Sequence, residues 1–119
     1  MPSRRELWSS ACNYVVEQYS SGGAAKELAA ACLALREADW AATIHPFISH
    51  GQLGFSIASD YAVARKHRAI WLARDANDQL TVTFQEELGS EVVRTEHLAT
   101  LNEPTLRLMV AWLHGEGGQ

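Results

Sequence analysis

The most concentrated charge in this sequence is a basic cluster, Arg65-Lys66-His67-Arg68. Side chains of this kind bind phosphates, other anionic ligands or an acidic protein surface. Tyr61 lies just upstream, and its ring would allow a nucleic-acid base to stack on it. Four neighbouring charges on a turn are also explained by solvation alone. The cluster is therefore a candidate binding site for an anionic ligand or an acidic protein, and a solvated turn is the alternative.

The histidines give a second candidate site. His45 and His50 lie close together in the sequence, and with Tyr61 and His67 they would supply polar groups to a pocket between helices and a sheet. Two imidazoles bind zinc only when a third ligand, such as Asp60 or His67, comes near. The sequence contains neither a His-x-x-x-His nor a Cys-x-x-Cys pattern. We predict binding residues here but no metal site and no cofactor.

The sequence contains no pattern typical of nucleophilic catalysis by cysteine or serine. The two cysteines, Cys12 and Cys32, lie within predicted helices on apolar faces, where burial raises a thiol pKa instead of lowering it. There is no Gly-x-Ser-x-Gly turn and no phosphate-binding glycine loop. We therefore predict no catalytic residue, and a small enzyme or ligand-binding domain is only the alternative function.

Composition excludes several classes of protein. The chain has 119 residues, a formal net charge of −4 and 47% hydrophobic residues, which is typical of one folded domain and not of a disordered one. Nucleic-acid binders are usually basic, so such binding would need the local patch of Arg65, Lys66 and Arg68. No apolar run approaches the roughly 18 residues of a membrane span, and the N-terminus lacks a secretory pattern. We expect a cytoplasmic protein that does not bind membranes.

Helical periodicity places three helices along the chain. Ser3 and Glu6 fit a capping box ahead of an amphipathic helix that ends near Ser20, and a breaker cluster over 20–23 precedes a second, alanine-rich helix. A short connection makes the two an antiparallel hairpin, in which Cys12 and Cys32 become neighbours. Asn102 begins a last helix, and the tail frays from about residue 115.

Between the second and last helices the apolar period changes to two. Strands are predicted over 52–57, 69–73, 80–85 and 91–96, and residues 75–78 provide the turn of the clearest hairpin. Residues 40–50 stay unassigned, and residues 60–68 are predicted to form a loop or a short helical turn capped by Asp60. The predicted fold is a single two-layer α+β domain over 1–119. It has an N-terminal antiparallel helix hairpin, a three- to four-stranded antiparallel sheet and a C-terminal helix.

Two segments carry more apolar surface than one sheet face can hide. The strand at 69–73 is apolar on both faces, and the last helix has a second stripe formed by Leu101, Leu108 and Trp112. Either the strand is central and the helix is wedged between other elements, or this surface binds a protein. Our leading hypothesis is a small non-enzymatic binding or regulatory module that acts through protein–protein contacts, most simply as a homodimer.

Overall fold

A computed structural model of the chain describes residues 3–18, 23–49, 52–57, 67–86, 92–98 and 101–115. Within these ranges the chain forms three α-helices, one 3₁₀ helix and five β-strands. In chain order they are α1 (Arg4–Gln18), α2 (Gly23–Glu37), the 3₁₀ helix (Asp39–Ala41), β1 (His45–Ser49), β2 (Gln52–Ser56), β3 (Ala69–Arg74), β4 (Leu80–Gln85), β5 (Val92–Leu98) and α3 (Glu103–Leu113).

The strands form one antiparallel sheet in the sequential order β1-β2-β3-β4-β5. The predicted α+β class, the helix hairpin and the C-terminal helix are confirmed. The predicted strand number of three to four is wrong, because residues 45–49, which were unassigned, form the additional strand β1. Pro46 lies on this edge strand, which has a neighbouring strand on one side only. The backbone N–H that proline lacks is therefore not needed to hydrogen-bond a second strand.

One face of the sheet carries the core. Alternate residues of β2, β3 and β4 point toward the helices, and each of them is at most 4% exposed. They are Leu53, Phe55, Ile70, Leu72, Leu80, Val82 and Phe84. The helices contribute Trp8, Leu28, Leu35 and Leu106 to the same cluster. The apolar side chains that recur every two residues in the strands and about every 3.6 residues in the helices therefore pack together in one apolar layer.

Local hydrogen bonds begin the helices where the sequence predicts. The Ser3 hydroxyl accepts from the Glu6 backbone N–H at 3.1 Å, and the Glu6 carboxylate accepts from the Ser3 N–H at 3.4 Å. Asn102 accepts from the Thr105 N–H at 3.0 Å at the start of α3. These caps satisfy N–H groups that a first helical turn leaves unpaired.

The end of α2 is held by a side chain from α1. The Arg4 guanidinium donates to the carbonyl oxygens of Leu35 at 3.0 Å, Arg36 at 3.4 Å and Ala41, and its Nε donates to the carbonyl of Ile44 at 2.8 Å. The last carbonyls of a helix have no partner within the helix. One cation therefore stabilises the end of α2, the 3₁₀ helix and the entry to β1 together.

None of the helices in the described ranges combines the length and the apolar character that crossing a bilayer requires.

Replacing Arg4 by lysine should reduce the free energy of unfolding by about 2 kcal/mol, because a single ammonium cannot reach all four carbonyls and leaves some of these partly buried groups without their charged donor. Urea denaturation of Arg4→Lys and of the unmodified chain would measure this difference.

Arg5→Lys is the matched control, since the neighbouring Arg5 forms an ion pair with the exposed Glu37 carboxylate at 2.6 Å and has no other partner among the described residues. Exposed ion pairs contribute little, so this variant should unfold at nearly the same urea concentration as the unmodified chain. Equal losses in the two variants would show that Arg4 has no special role.

Candidate protein-interaction surface

The face of the sheet opposite the helices is defined by strand register. Residues directly paired in an antiparallel ladder point to the same side. One row of pairs crosses all five strands, from Phe47 to Gly54, Trp71, Thr83 and Thr95. The three described helices pack on the other side, against the core cluster. We call the side that carries this row the outer face.

Trp71 is the central side chain of the outer face. Its six-membered ring lies directly on Gly54, so close that a Cβ added there would lie 2.5 Å from Trp71 Cε3 and Cζ3. The indole N–H donates to Gln85 Oε1 at 2.8 Å. The ring is thus held flat against the sheet by a glycine below it and an amide beside it, and it stays partly exposed.

A small apolar cluster surrounds this tryptophan and is separate from the main core. It consists of the buried Ala69 with Phe47 and Trp71 packed against it. Uncharged polar groups extend the row, and the hydroxyls of Thr83 and Thr95 lie 3.5 Å apart. By register, the outer face of the three central strands also includes Ala73, Thr81 and Gln85. The centre of the outer face is therefore aromatic, and the side chains beside it on β3 and β4 are small apolar or uncharged polar groups. His97, which pairs with Thr81, lies on the same face at the β5 edge of the sheet.

The segment predicted to be apolar on both faces is β3, the middle strand of the sheet. Ile70 and Leu72 point into the helical core, whereas Ala69, Trp71 and Ala73 point to the outer face. The first explanation, a central strand, is confirmed, whereas a protein bound to this surface stays a prediction. The strand is central, and one of its sides carries an apolar patch that the described helices do not cover.

The three residues predicted for an interface on the last helix lie in different environments. Leu101 and Trp112 are each 5% exposed within a single chain, whereas Leu108 is 73% exposed. Trp112 packs edge-on against Phe84, with ring centroids 5.0 Å apart and planes at 80°. Burial of the two neighbours leaves Leu108 as the member of this set that a partner could reach without rearrangement of α3.

Of the predicted basic site, the structure describes His67 and Arg68, while Tyr61, Arg65 and Lys66 lie outside the described residues. Arg68 donates to the Trp112 carbonyl at 2.7 Å and to the Glu86 carboxylate at 2.9 Å. Its guanidinium carbon also lies 4.6 Å from the Trp112 ring centroid. This cation therefore stabilises the C-terminal end of α3, and the contacts account for its position without a ligand.

The predicted histidine pocket is described only in part, because His50, like Tyr61, lies outside the described residues. His45 begins β1, and its Nδ1 is buried with no hydrogen-bond partner in the part of the chain that the structure describes. Burial lowers the pKa of His45 below its ordinary value, and the nearby charge of Arg4 lowers the pKa further. The surroundings of His45 therefore favour its neutral form.

A cleft of about 440 Å³ lies where the start of α2 meets the β3–β4 turn and the end of β5. Its carboxylates already hold the fold together. Glu27 accepts from the Leu101 N–H at 3.0 Å, and Asp78 accepts from the Gly23 N–H at 2.9 Å. Sequence reasoning missed this cleft, because its groups come from segments far apart in the chain. Its polar groups link elements, and no pair of carboxylates is left poised for acid–base chemistry.

The described residues contain no group of three or more side chains able to hold a metal ion. Comparison with protein-family models, with curated proteins and with solved structures found no match for this chain. The outer face is therefore assigned as the candidate site on its own geometry.

Gly54→Ala should destabilise the chain by about 1–3 kcal/mol, the usual effect of overpacking, because the added methyl group displaces the Trp71 ring and its bond to Gln85. Urea denaturation measures the loss, and the near-ultraviolet circular dichroism of the tryptophans should change with it.

Gly23→Ala is the control for this substitution. Nothing lies within 4 Å of a Cβ placed at Gly23, and alanine is favourable in a helix. Its stability should stay the same or rise. If Gly54→Ala behaves like Gly23→Ala, the close contact between Gly54 and Trp71 is wrong.

Acidification should destabilise the chain in part through His45. Because its folded pKa is lowered, the folded state favours neutral imidazole. Above pH 6.5, the ordinary imidazole pKa, the contribution of His45 to the free energy of unfolding is fully present. It is lost as the pH falls from 6.5 through the lowered pKa of the folded state. Thermal unfolding between neutral pH and pH about 5 should show a smaller fall in midpoint for His45→Gln than for the unmodified chain. Parallel curves would contradict this role, since all other titrating groups are shared.

Proposed function

We propose that this chain is a small, non-enzymatic protein-binding module that self-associates as a homodimer through its outer face. The observation that carries the proposal is Trp71, a partly exposed indole held flat at the centre of a sheet face that the described helices leave uncovered. Tryptophan is among the residues that contribute most to binding energy when a partner covers it.

The chemistry of the outer face suits contact between two identical surfaces. The row from Phe47 through Trp71 to Thr95 contains no side chain with a permanent charge. In a two-fold dimer each surface meets a copy of itself, so a charged centre would bring like charges together. An aromatic centre surrounded by hydroxyl and amide groups avoids that repulsion and resembles the usual layout of an interface.

The size of the sheet indicates the strength of association. Strands spaced about 4.8 Å apart and rising about 3.3 Å per residue make a flat face of a few hundred Å². This is less than the roughly 800 Å² that specific interfaces bury from each partner, and contacts of this smaller size are typically weak or transient. We therefore expect a dimer that dissociates on dilution, not an obligate one.

The last helix gives weaker support for an interface. Leu108 is its one large exposed apolar side chain among the described residues, since Trp112 is enclosed against Phe84 and Arg68. Single exposed leucines are common on protein surfaces and need no partner to explain them. The outer face, by contrast, combines an aromatic centre with three further apolar side chains, Phe47, Ala69 and Ala73.

We also propose a cytoplasmic setting, because both cysteines are free thiols and such thiols persist where glutathione and thioredoxin keep them reduced.

Thr83→Glu tests the proposal, because it introduces a carboxylate directly beside Trp71 while leaving the core unchanged. Sedimentation velocity over a wide range of concentrations should show reversible dimers for the unmodified chain. The variant should dissociate at least about tenfold more readily, since like charges across an interface cost several kcal/mol.

Leu108→Glu is the matched control, an identical charge placed on α3. It should dimerise like the unmodified chain, and circular dichroism should show that both variants remain folded. An unmodified chain that stays monomeric at every concentration would exclude self-association. Loss of dimers in Leu108→Glu alone would exclude the outer face in favour of α3.

A further inference from the structure

The two cysteines of the chain meet inside the helix hairpin. Cys12 lies in α1 and Cys32 in α2, and their sulfur atoms are 2.8 Å apart. The S–S bond of a disulfide is about 2.05 Å long, so only a small approach of the two side chains separates the free thiols from a bond. Since the chain has no other cysteine, these thiols have no competing partner within it.

From this geometry we propose that Cys12 and Cys32 form a reversible disulfide between α1 and α2 when the chain meets a peroxide. The inference is independent of the proposed homodimer, because both thiols lie in the helical layer and not on the outer face.

The environment of the pair determines how it would react. Cys12 is 7% exposed and Cys32 is 0% exposed. Burial raises the pKa of the Cys32 thiol, and the adjacent Cys12 raises that pKa further. A buried thiol is a poor target for bulky disulfides such as oxidised glutathione. A small oxidant that can enter during brief openings of the hairpin, such as hydrogen peroxide, is therefore the suitable reagent.

The reaction takes place in two balanced steps. The Cys12 sulfur, the more exposed of the two, attacks one oxygen of hydrogen peroxide, which gives a sulfenic acid and releases water. The Cys32 sulfur then attacks the Cys12 sulfur, so that the S–S bond forms as the S–O bond breaks. The hydroxyl group leaves with the Cys32 proton as a second water. Both sulfurs are oxidised by one electron each, and the peroxide is reduced.

The bond would change the stability of the hairpin. It would close a loop between positions separated by 20 residues, which restricts the unfolded chain far more than the folded one. In the native hairpin the helices already hold both cysteines close together, so forming the disulfide requires little movement of their side chains. The oxidised chain should therefore unfold at a higher temperature than the reduced chain.

The test compares reduced and peroxide-treated forms of the full chain. After treatment, the intact mass should fall by two hydrogen atoms, and no thiol should react with iodoacetamide in denaturant. The midpoint of thermal unfolding should rise by about 10 °C, and dithiothreitol should reverse each change. Cys12→Ala and Cys32→Ala are the controls, each compared with itself before and after peroxide, and neither midpoint should rise.

Three results would overturn the inference. Two alkylatable thiols could remain after treatment of the unmodified chain. Peroxide could instead add oxygen atoms to the cysteines without loss of hydrogen, which would indicate sulfinic or sulfonic acids. Finally, disulfides could form only between chains, which non-reducing electrophoresis would reveal as a covalent dimer.

Discussion

The arrangement of the whole domain depends on the Arg4 guanidinium at the point where the chain passes from helices into sheet. Four carbonyl oxygens from the end of α2, the 3₁₀ helix and the start of β1 converge on this one cation. The Trp8 indole donates to the same Ile44 carbonyl at 2.9 Å. Since partly buried carbonyls without donors are costly, these bonds stabilise the turn of the chain from α2 into β1.

Every described helix lies on one side of the sheet. The five strands follow one another without a crossover, so no connection needs to carry a helix across to the opposite side. The two helices that precede the sheet and the one that follows it share a single core. Among the described residues, contacts within the sheet stabilise the centre of the outer face. Gly54 provides the space for the Trp71 ring, and Gln85 satisfies its N–H.

Much of this could be predicted from the sequence, because local patterns determine it. The capping residues Ser3 and Asn102 begin their helices, and the turn at residues 75–78 joins β3 to β4. The predicted proximity of Cys12 and Cys32 is confirmed, because an antiparallel hairpin brings positions equally far from its turn together. β1 was missed because Pro46 and two flanking histidines weaken any strand pattern, and its pairing with β2 is a tertiary contact.

The outer face was harder to predict than the core, for a physical reason. Periodicity indicates that β3 is apolar on both sides, but not which side the helices cover. The glycine at position 54 carried a usable signal, since a glycine within a strand often marks the close approach of another group. That group could be identified only from the register, which pairs Gly54 with Trp71. By contrast, the apolar stripe of the last helix suggested an interface at Trp112, yet that ring is enclosed by Phe84 and Arg68.

The two proposed activities occupy opposite sides of the sheet, and this separation has a consequence for how they could combine. A bond between Cys12 and Cys32 would join two helices that already pack against each other, while the outer face is held by contacts within the sheet. Oxidation would therefore raise the stability of the domain without changing the surface centred on Trp71. Because the free energy of binding depends on the interface and on the order of its side chains, a crosslink in the helical layer would leave the affinity of self-association unchanged.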